Sequence, residues 1–397
     1  LGGRVRRRRH PRRCGRVSGS GSTPWRVAFA GGGSGGHLVP AMAIAERLAA
    51  DSPGLDPLVL CSRRPIDHEW LERAGLAHVP LAAEPFRPTP RGVMRFLRGH
   101  RRAVIDAVAA LRDHRSELLV AVGGFASVPG VAAARRLGIP VLLLNLDARP
   151  GRANRFVAGR ADRVVSAVEV EGDRRFGEVV GPPVRRAAIA ARSPAESRRE
   201  LGLEPDRPTR RVTGASHGAA SLNRFMAMWV AATPGDLDGW QVLHLTGGAT
   251  DELESAYREA GIPAAVISTL DSMGEAWGAT TLAISRAGAN SVAEIEANAV
   301  PSVLVPYPFH RDRHQWHNAA PLAAAGGAVI AEDRIDADAN LGSIGDACRG
   351  LLENPGEIEA MRHRLGDRPH ADGSGRVAEI VRELVGRRRS RRNRSFG

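Results

Sequence analysis

From Trp25 onward the chain alternates short apolar runs with amphipathic stretches, and most apolar runs empty into a glycine-bearing turn. A strand covered on both faces must be apolar throughout, and parallel neighbours need a helical crossover, so this pattern predicts parallel sheets flanked by helices. "WRVAFA", "DPLVLC", "ELLVAVGG", "IPVLLLN" and "DRVVSA" read as strands, with "AMAIAERLAA" and "SVPGVAAARRLG" as helices between them. The strands stop at the proline- and arginine-rich "VVGPPVRRAAIAARSPAE". A second set begins at "RRVTGASHGAASLNRFMAMWVAA" and runs through "WQVLHLTGG", "AAVISTL", "TTLAISRAGANSVAEIEAN" and "PSVLVPYP". A chain of 397 residues suits two cores. The pattern therefore predicts a duplicated doubly wound α/β unit, with domains over 25–185 and 186–372 facing a cleft.

The net charge of +13 is confined to the ends: residues 1–16 carry eight arginines and no acid, and residues 387–397 carry six and no acid. The body between them is near neutral, so no nucleic-acid partner is expected, and 1–24 and 387–397 read as basic, disordered extensions. No apolar run reaches the length of a membrane span. Cys14, Cys61 and Cys348 have no paired spacing, which argues against a disulfide framework or a cysteine zinc site and fits a reduced, cytoplasmic setting.

The chemistry should lie in the loops at the carboxyl ends of the strands. "GGGSGGH" brings Ser34, Gly35, Gly36 and His37 to a strand-to-helix turn, where backbone N–H groups and a helix dipole favour phosphate. Gly31-x-Gly33-x-x-Gly36 also fits a dinucleotide fingerprint, with Arg63 and Arg64 placed for a 2′-phosphate, so the loop alone leaves a dehydrogenase reading open. "GASHGA" repeats the phosphate logic with Ser216. In "SRAGANSVAE", Glu294 either closes a capping box with Ser291 or offers a carboxylate to ribose hydroxyls. His310, His314 and His317 have helical spacing, but no carboxylate motif beside them supports zinc; Gln315 and Asn318 suit sugar hydroxyls better. In the segment 86–115, Val93, Leu97, Val104, Val108 and Leu111 form an apolar stripe predicted to be buried. Met94 and Phe96 sit among Arg95, Arg98, Arg101 and Arg102, as in a membrane-surface patch.

Taken in order, "GGSGGH", "GGFASVPG", "PGRANR", "GPPVR", "GASHGA", "SRAGANSVAE" and "HQWHNA" resemble the MurG family of glycosyltransferases, from about Val27 to Ala331. The resemblance implies a GT-B fold, two Rossmann-like doubly wound domains facing a cleft, with a helix over 373–386 returning to the first domain. It also implies an inverting transfer of N-acetylglucosamine from UDP-N-acetylglucosamine to the lipid-linked muramyl-peptide acceptor, lipid I, at the cytoplasmic face of a bacterial membrane. No metal or cofactor is implied. His37 would be the general base, and Ser34, Gly35 and Gly36 would lie at the phosphate region. Arg185 and Ser216 would meet the donor diphosphate, Leu270 the uracil, Glu294 the ribose, and Gln315 the sugar. Ala289, Asn290, Ser291, Val292 and Ala293 would line the diphosphate and sugar, and Met94, Phe96, Arg98 and Arg101 would face an anionic membrane. Where the family has His-Glu-Gln-Asn, this chain reads Leu144-Asn145-Leu146-Asp147, so the donor-facing amide becomes the carboxylate of Asp147. A carboxylate accepts but cannot donate, which bears on donor choice.

Overall fold

The computed structural model describes residues 24–394, apart from 34, 53, 87, 215–219, 311 and 370. The first sheet comprises β1 (Trp25–Ala30), β2 (Leu55–Ser62), β3 (Ala77–Leu81), β4 (Leu118–Ala121), β5 (Val141–Asn145) and β6 (Arg163–Ser166), in the order β3-β2-β1-β4-β5-β6. The second comprises β7 (Thr209–Thr213), β8 (Gln241–Leu245), β9 (Ala264–Ile267), β10 (Leu282–Ser285), β11 (Ser302–Leu304) and β12 (Ala328–Ile330), in the order β12-β11-β10-β7-β8-β9. Every pairing is parallel, and the two orders are the same one counted from each domain's first strand. The strand order of each sheet reverses once, between β1 and β4 and between β7 and β10, and a doubly wound sheet opens its ligand crevice at that point.

The helices of the first domain are α1 (Gly35–Asp51), α2 (Pro65–Arg73), α3 (Pro90–His114), α4 (Ser127–Arg136) and α5 (Arg152–Ala158). Those of the second begin with α6 (Pro194–Glu200), α7 (Ala220–Ala232), α8 (Asp251–Glu259), α9 (Met273–Ala279), α10 (Ala289–Ala297) and α11 (His314–Ala324). Strands such as β4 and β5 are buried at every position, as their unbroken apolar sequence requires. Along α3 the buried residues are Ala103, Val104, Ala107 and Leu111, whereas Leu97 is 60% exposed. The predicted stripe therefore holds at Val104 and Leu111, is half-buried at Val93 and Val108, and fails at Leu97.

A last helix, Gly373–Arg394, crosses back to the first domain. Val377, Ala378, Ile380, Val381 and Val385 join the core of Val27, Phe29, Leu38 and Ile44, and Arg382 pairs with Asp51 at 2.9 Å. The helix does not stop at residue 386. Residues 387–394, expected to be disordered, are helical, and Arg388 and Arg389 find partners on the first domain. Arg389 donates to both carboxylate oxygens of Glu117 at 2.7 Å, and Arg388 donates to the Glu117 carbonyl at 2.8 Å. Residues 1–23 and 395–397 lie outside the described residues.

Candidate active site in the cleft

The loop after β1 takes its shape from glycine. Gly32 and Gly33 have φ of +132° and +91°, where an L side chain is strained, and a Cβ on Gly33 would fall 2.4 Å from the Phe125 ring. The buried carboxylate of Asp67, near the start of α2, anchors the loop: its Oδ2 accepts from Gly33 N at 2.8 Å and from the Ser62 hydroxyl at 2.6 Å. Arg64 donates to the Gly33 carbonyl and lies over Phe125, so one of the arginines expected to meet a 2′-phosphate is a strut of the loop itself. Asp67 carried no motif at sequence level; its only signal is an acid in the first turn of α2.

His37 sits in the first turn of α1, with its ring against the loop after β4. Nδ1 lies 3.2 Å from the Val122 carbonyl. A carbonyl only accepts, so Nδ1 carries the proton and Nε2 keeps its lone pair. Gly123 and Gly124 make room for the ring: with φ of +98° and +75°, their added Cβ atoms would stand 3.1 Å from His37 Nδ1 and 2.8 Å from Cδ2. Burial pushes the imidazole below its usual range, against the opposing pull of the Asp147 carboxylate. A base in this state works unprotonated, so activity should fall only as pH drops through that lowered value. The acid limb of kcat/KM is expected below pH ~6.5, the ordinary histidine value. Asp147→Asn should move it lower still, by removing the charge that favours imidazolium. A limb at or above that value in a pH–rate series, or an upward move in the variant, would contradict this account.

Across the cleft, α10 starts at Ala289 after Gly288, which places Ser291 inside the helix. The capping-box alternative for Glu294 therefore fails, since no side-chain cap forms there. Glu294 instead accepts from Trp277 Nε1 at 2.8 Å, and burial pushes its carboxyl up. Asn290 reaches over to the first domain, donating from Nδ2 to the Gly36 carbonyl at 3.2 Å. That carbonyl needs a donor because its helical partner four residues on is Pro40, which has no N–H. The N-termini of α1 and α10 thus meet, neither with an acid in its first turn, and both present positive dipole ends to one place. Ala289 packs on the first domain's core, while Ser291 and Val292 are half-buried and Ala293 is buried.

Helix α11 and the turn before it complete the cleft. Asp147 Oδ1 accepts from Asn318 Nδ2 at 3.0 Å, and Ala148 N donates to Asn318 Oδ1 at 3.1 Å, so the carboxylate clasps the second domain. Asn145, the other departure from the family run, is buried and ties Asp147 O, Ser166 and Asn154 together. Gln315 Oε1 accepts from Tyr307 N at 2.9 Å, which leaves its amide N–H groups as the part able to meet a ligand. The rings of His310 and His314 lie 4.2 Å apart and His317 is exposed; among the described residues no three-residue cluster could hold a metal. Arg185 pairs with Glu46 at 2.7 Å, and Leu270 is half-buried against the cluster of Leu203 and Leu243. Ser34 and Ser216 lie outside the described residues. Met94, Phe96, Arg98 and Arg101 are far along the chain from these loops, on α3; Met94 and both arginines are exposed, and Phe96 packs edge-on to Phe86.

Residues 27–166 match the glycosyltransferase family 28 N-terminal domain, and residues 211–373 match the glycosyltransferase family 28 C-terminal domain. The chain is 36% identical over 377 residues to the "UDP-N-acetylglucosamine--N-acetylmuramyl-(pentapeptide) pyrophosphoryl-undecaprenol N-acetylglucosamine transferase" of Clavibacter michiganensis subsp. michiganensis, over 91% of this chain and 97% of that one. A protein of the same name from Mycobacterium tuberculosis is 36% identical over 369 residues, covering 89% and 88%. Among solved structures, MurG of Acinetobacter baumannii aligns with a TM-score of 0.67 at 23% identity, over 91% of this chain and all of that one. The calicheamicin glycosyltransferase CalG4 aligns with a TM-score of 0.63 at 17% identity, over 92% and 99%. At these identities the structural likeness concerns the two-domain fold.

Proposed function

The chain belongs to glycosyltransferase family 28, and on that premise we propose that it transfers N-acetylglucosamine from UDP-N-acetylglucosamine to the lipid-linked muramyl-peptide precursor of peptidoglycan, converting lipid I to lipid II. The observation that carries this reading is the pair of helix N-termini joined by Asn290 and Gly36, with His37 at one and Glu294 at the other. The donor diphosphate sits between the dipole ends, and Glu294 accepts from the ribose hydroxyls. The acceptor hydroxyl attacks the anomeric carbon as its proton passes to His37 Nε2. The bond from that carbon to the phosphate oxygen breaks, UDP leaves with the electron pair, and the single displacement inverts the centre. Loop N–H groups and the two helix ends stabilise the developing diphosphate charge. Turnover of several UDP-sugars with a short-chain lipid-linked muramyl acceptor tests the reading. UDP release without transfer to any lipid acceptor would overturn it.

The acceptor's tail implies a membrane-facing surface, and α3 supplies the candidate. Phe86 and Met94 are each 53% exposed beside the outward Leu97, with Arg98 and Arg101 exposed in the same stretch. No helix among the described residues is long and apolar enough to cross a membrane, so docking would be peripheral. Binding to anionic vesicles should weaken with added salt, and Leu97→Ser should weaken it by roughly tenfold, the worth of one leucine side chain entering lipid. Sedimentation with vesicles at two ionic strengths measures both. Equal binding by parent and variant, whose basic tails are identical, would assign any attraction to the tails.

A further inference from the structure

Arg210 and Arg211 lie side by side in β7, both fully buried, on a central strand whose neighbours are apolar on either face. A buried guanidinium lacking a counter-ion is costly to the fold, so a chain that retains one invites the question of what it does. Arg210 lies 4.8 and 5.5 Å from the ring centroids of Trp229 and Trp240, neither of which contacts Glu294. Arg211 is placed differently. Its guanidinium carbon lies 3.6 Å from the centroid of Trp277, and Trp277 is the residue whose Nε1–H donates to Glu294. Among the described residues Nε and Nη1 of Arg211 have no hydrogen-bond partner, and Nη2 meets only the Met273 sulfur at 3.8 Å.

The three side chains form a stack: cation, indole face, indole N–H, carboxylate. A cation on the ring face draws electron density from the indole and makes its N–H a better donor. It also places a positive charge behind a carboxylate that burial would otherwise neutralise. Among the described residues Arg185 also acts on Glu294, but its charge is shared with Glu46. We propose that Arg211 is a positioning residue for the donor site, acting through Trp277 to keep the Glu294 carboxylate charged and aimed at the ribose hydroxyls. The proposal rests on the ribose role given to Glu294 above.

Four variants of the full chain test it: Glu294→Gln, Arg211→Met, Arg211→Lys and the Glu294→Gln/Arg211→Met pair, each by UDP calorimetry, donor kinetics and melting temperature. Glu294→Gln should raise donor KM roughly tenfold, as the loss of a charged acceptor for hydroxyls. Arg211→Met should raise it about fivefold while kcat at saturating donor holds, and its melting temperature should stay or climb, since an unpaired buried charge gives way to an apolar chain. Arg211→Lys should recover part of the affinity. In the Glu294→Gln background Arg211→Met should have no further effect. Parent-like affinity in Arg211→Met, or an equal loss with and without Glu294, would overturn the proposal while leaving the ribose role standing. So would a fall in melting temperature and kcat together. Unchanged affinity in Glu294→Gln alone would overturn the ribose role, and this proposal with it.

Discussion

Replacing His37 by alanine is expected to lower kcat by roughly 100-fold or more, the worth of a general base, with donor affinity little changed. The ring is held by one contact from Nδ1 to the Val122 carbonyl, which commits the other nitrogen to the acceptor side of the reaction. Its proposed work begins only when the acceptor hydroxyl attacks, so UDP titration should report near-normal binding by the variant. Single-turnover assays with a lipid acceptor separate the chemical step from product release. Near-parent turnover would remove His37 from proton transfer and require another group, or water, to take that proton.

The second large effect is expected at a residue that touches no substrate. Gly124→Ala places a methyl 2.6 Å from the Gly32 carbonyl and 2.8 Å from the His37 ring, on a backbone with φ of +75°. The backbone strain costs about 1–3 kcal/mol. The contact cannot be relieved without moving either the glycine loop or the imidazole. A shift of that size misplaces the base, and kcat should fall by roughly 10- to 100-fold beyond any loss of stability. Gly138→Ala is the control: its φ of +61° carries the same kind of strain, yet nothing lies within 4 Å of the added carbon. It should lower the melting temperature with kcat intact. Equal kcat in both variants would show that the glycine pair serves the turn and not the histidine.

The departure at residues 144–147 acquires a physical meaning from these contacts. Asp147 stands where the resemblance implies a donor-facing amide, and its Oδ1 receives the Asn318 amide across the cleft. An ionised carboxylate there also acts on His37 through space, which an amide would not do. The substitution thus bears on domain docking and on the basicity of the imidazole, and donor choice is to be measured with both in view.

By itself the sequence determined what depends on near neighbours. Unbroken apolar runs specify strands buried on two faces, and their alternation with helices specifies parallel, doubly wound sheets. Glycines at Gly32, Gly33, Gly123 and Gly124 mark turns that only glycine enters easily, and His37 is legible because it closes such a turn. The tertiary structure alone decided what depends on partners distant in the chain. Ser291 and Glu294 satisfy the capping-box spacing, yet the helix begins three residues too early for it, and the carboxylate turns to Trp277. Pro40 reads as a helix irregularity until Asn290, 254 residues away from Gly36, supplies the missing donor. Arg388 and Arg389 read as solvated charge in the sequence, and Glu117 reaches them only when the last helix folds back. Arg211 carries no pattern at all. A guanidinium inside a sheet is informative only through the ring it lies on, and which ring that is follows from how α9 packs on β7, not from the order of residues.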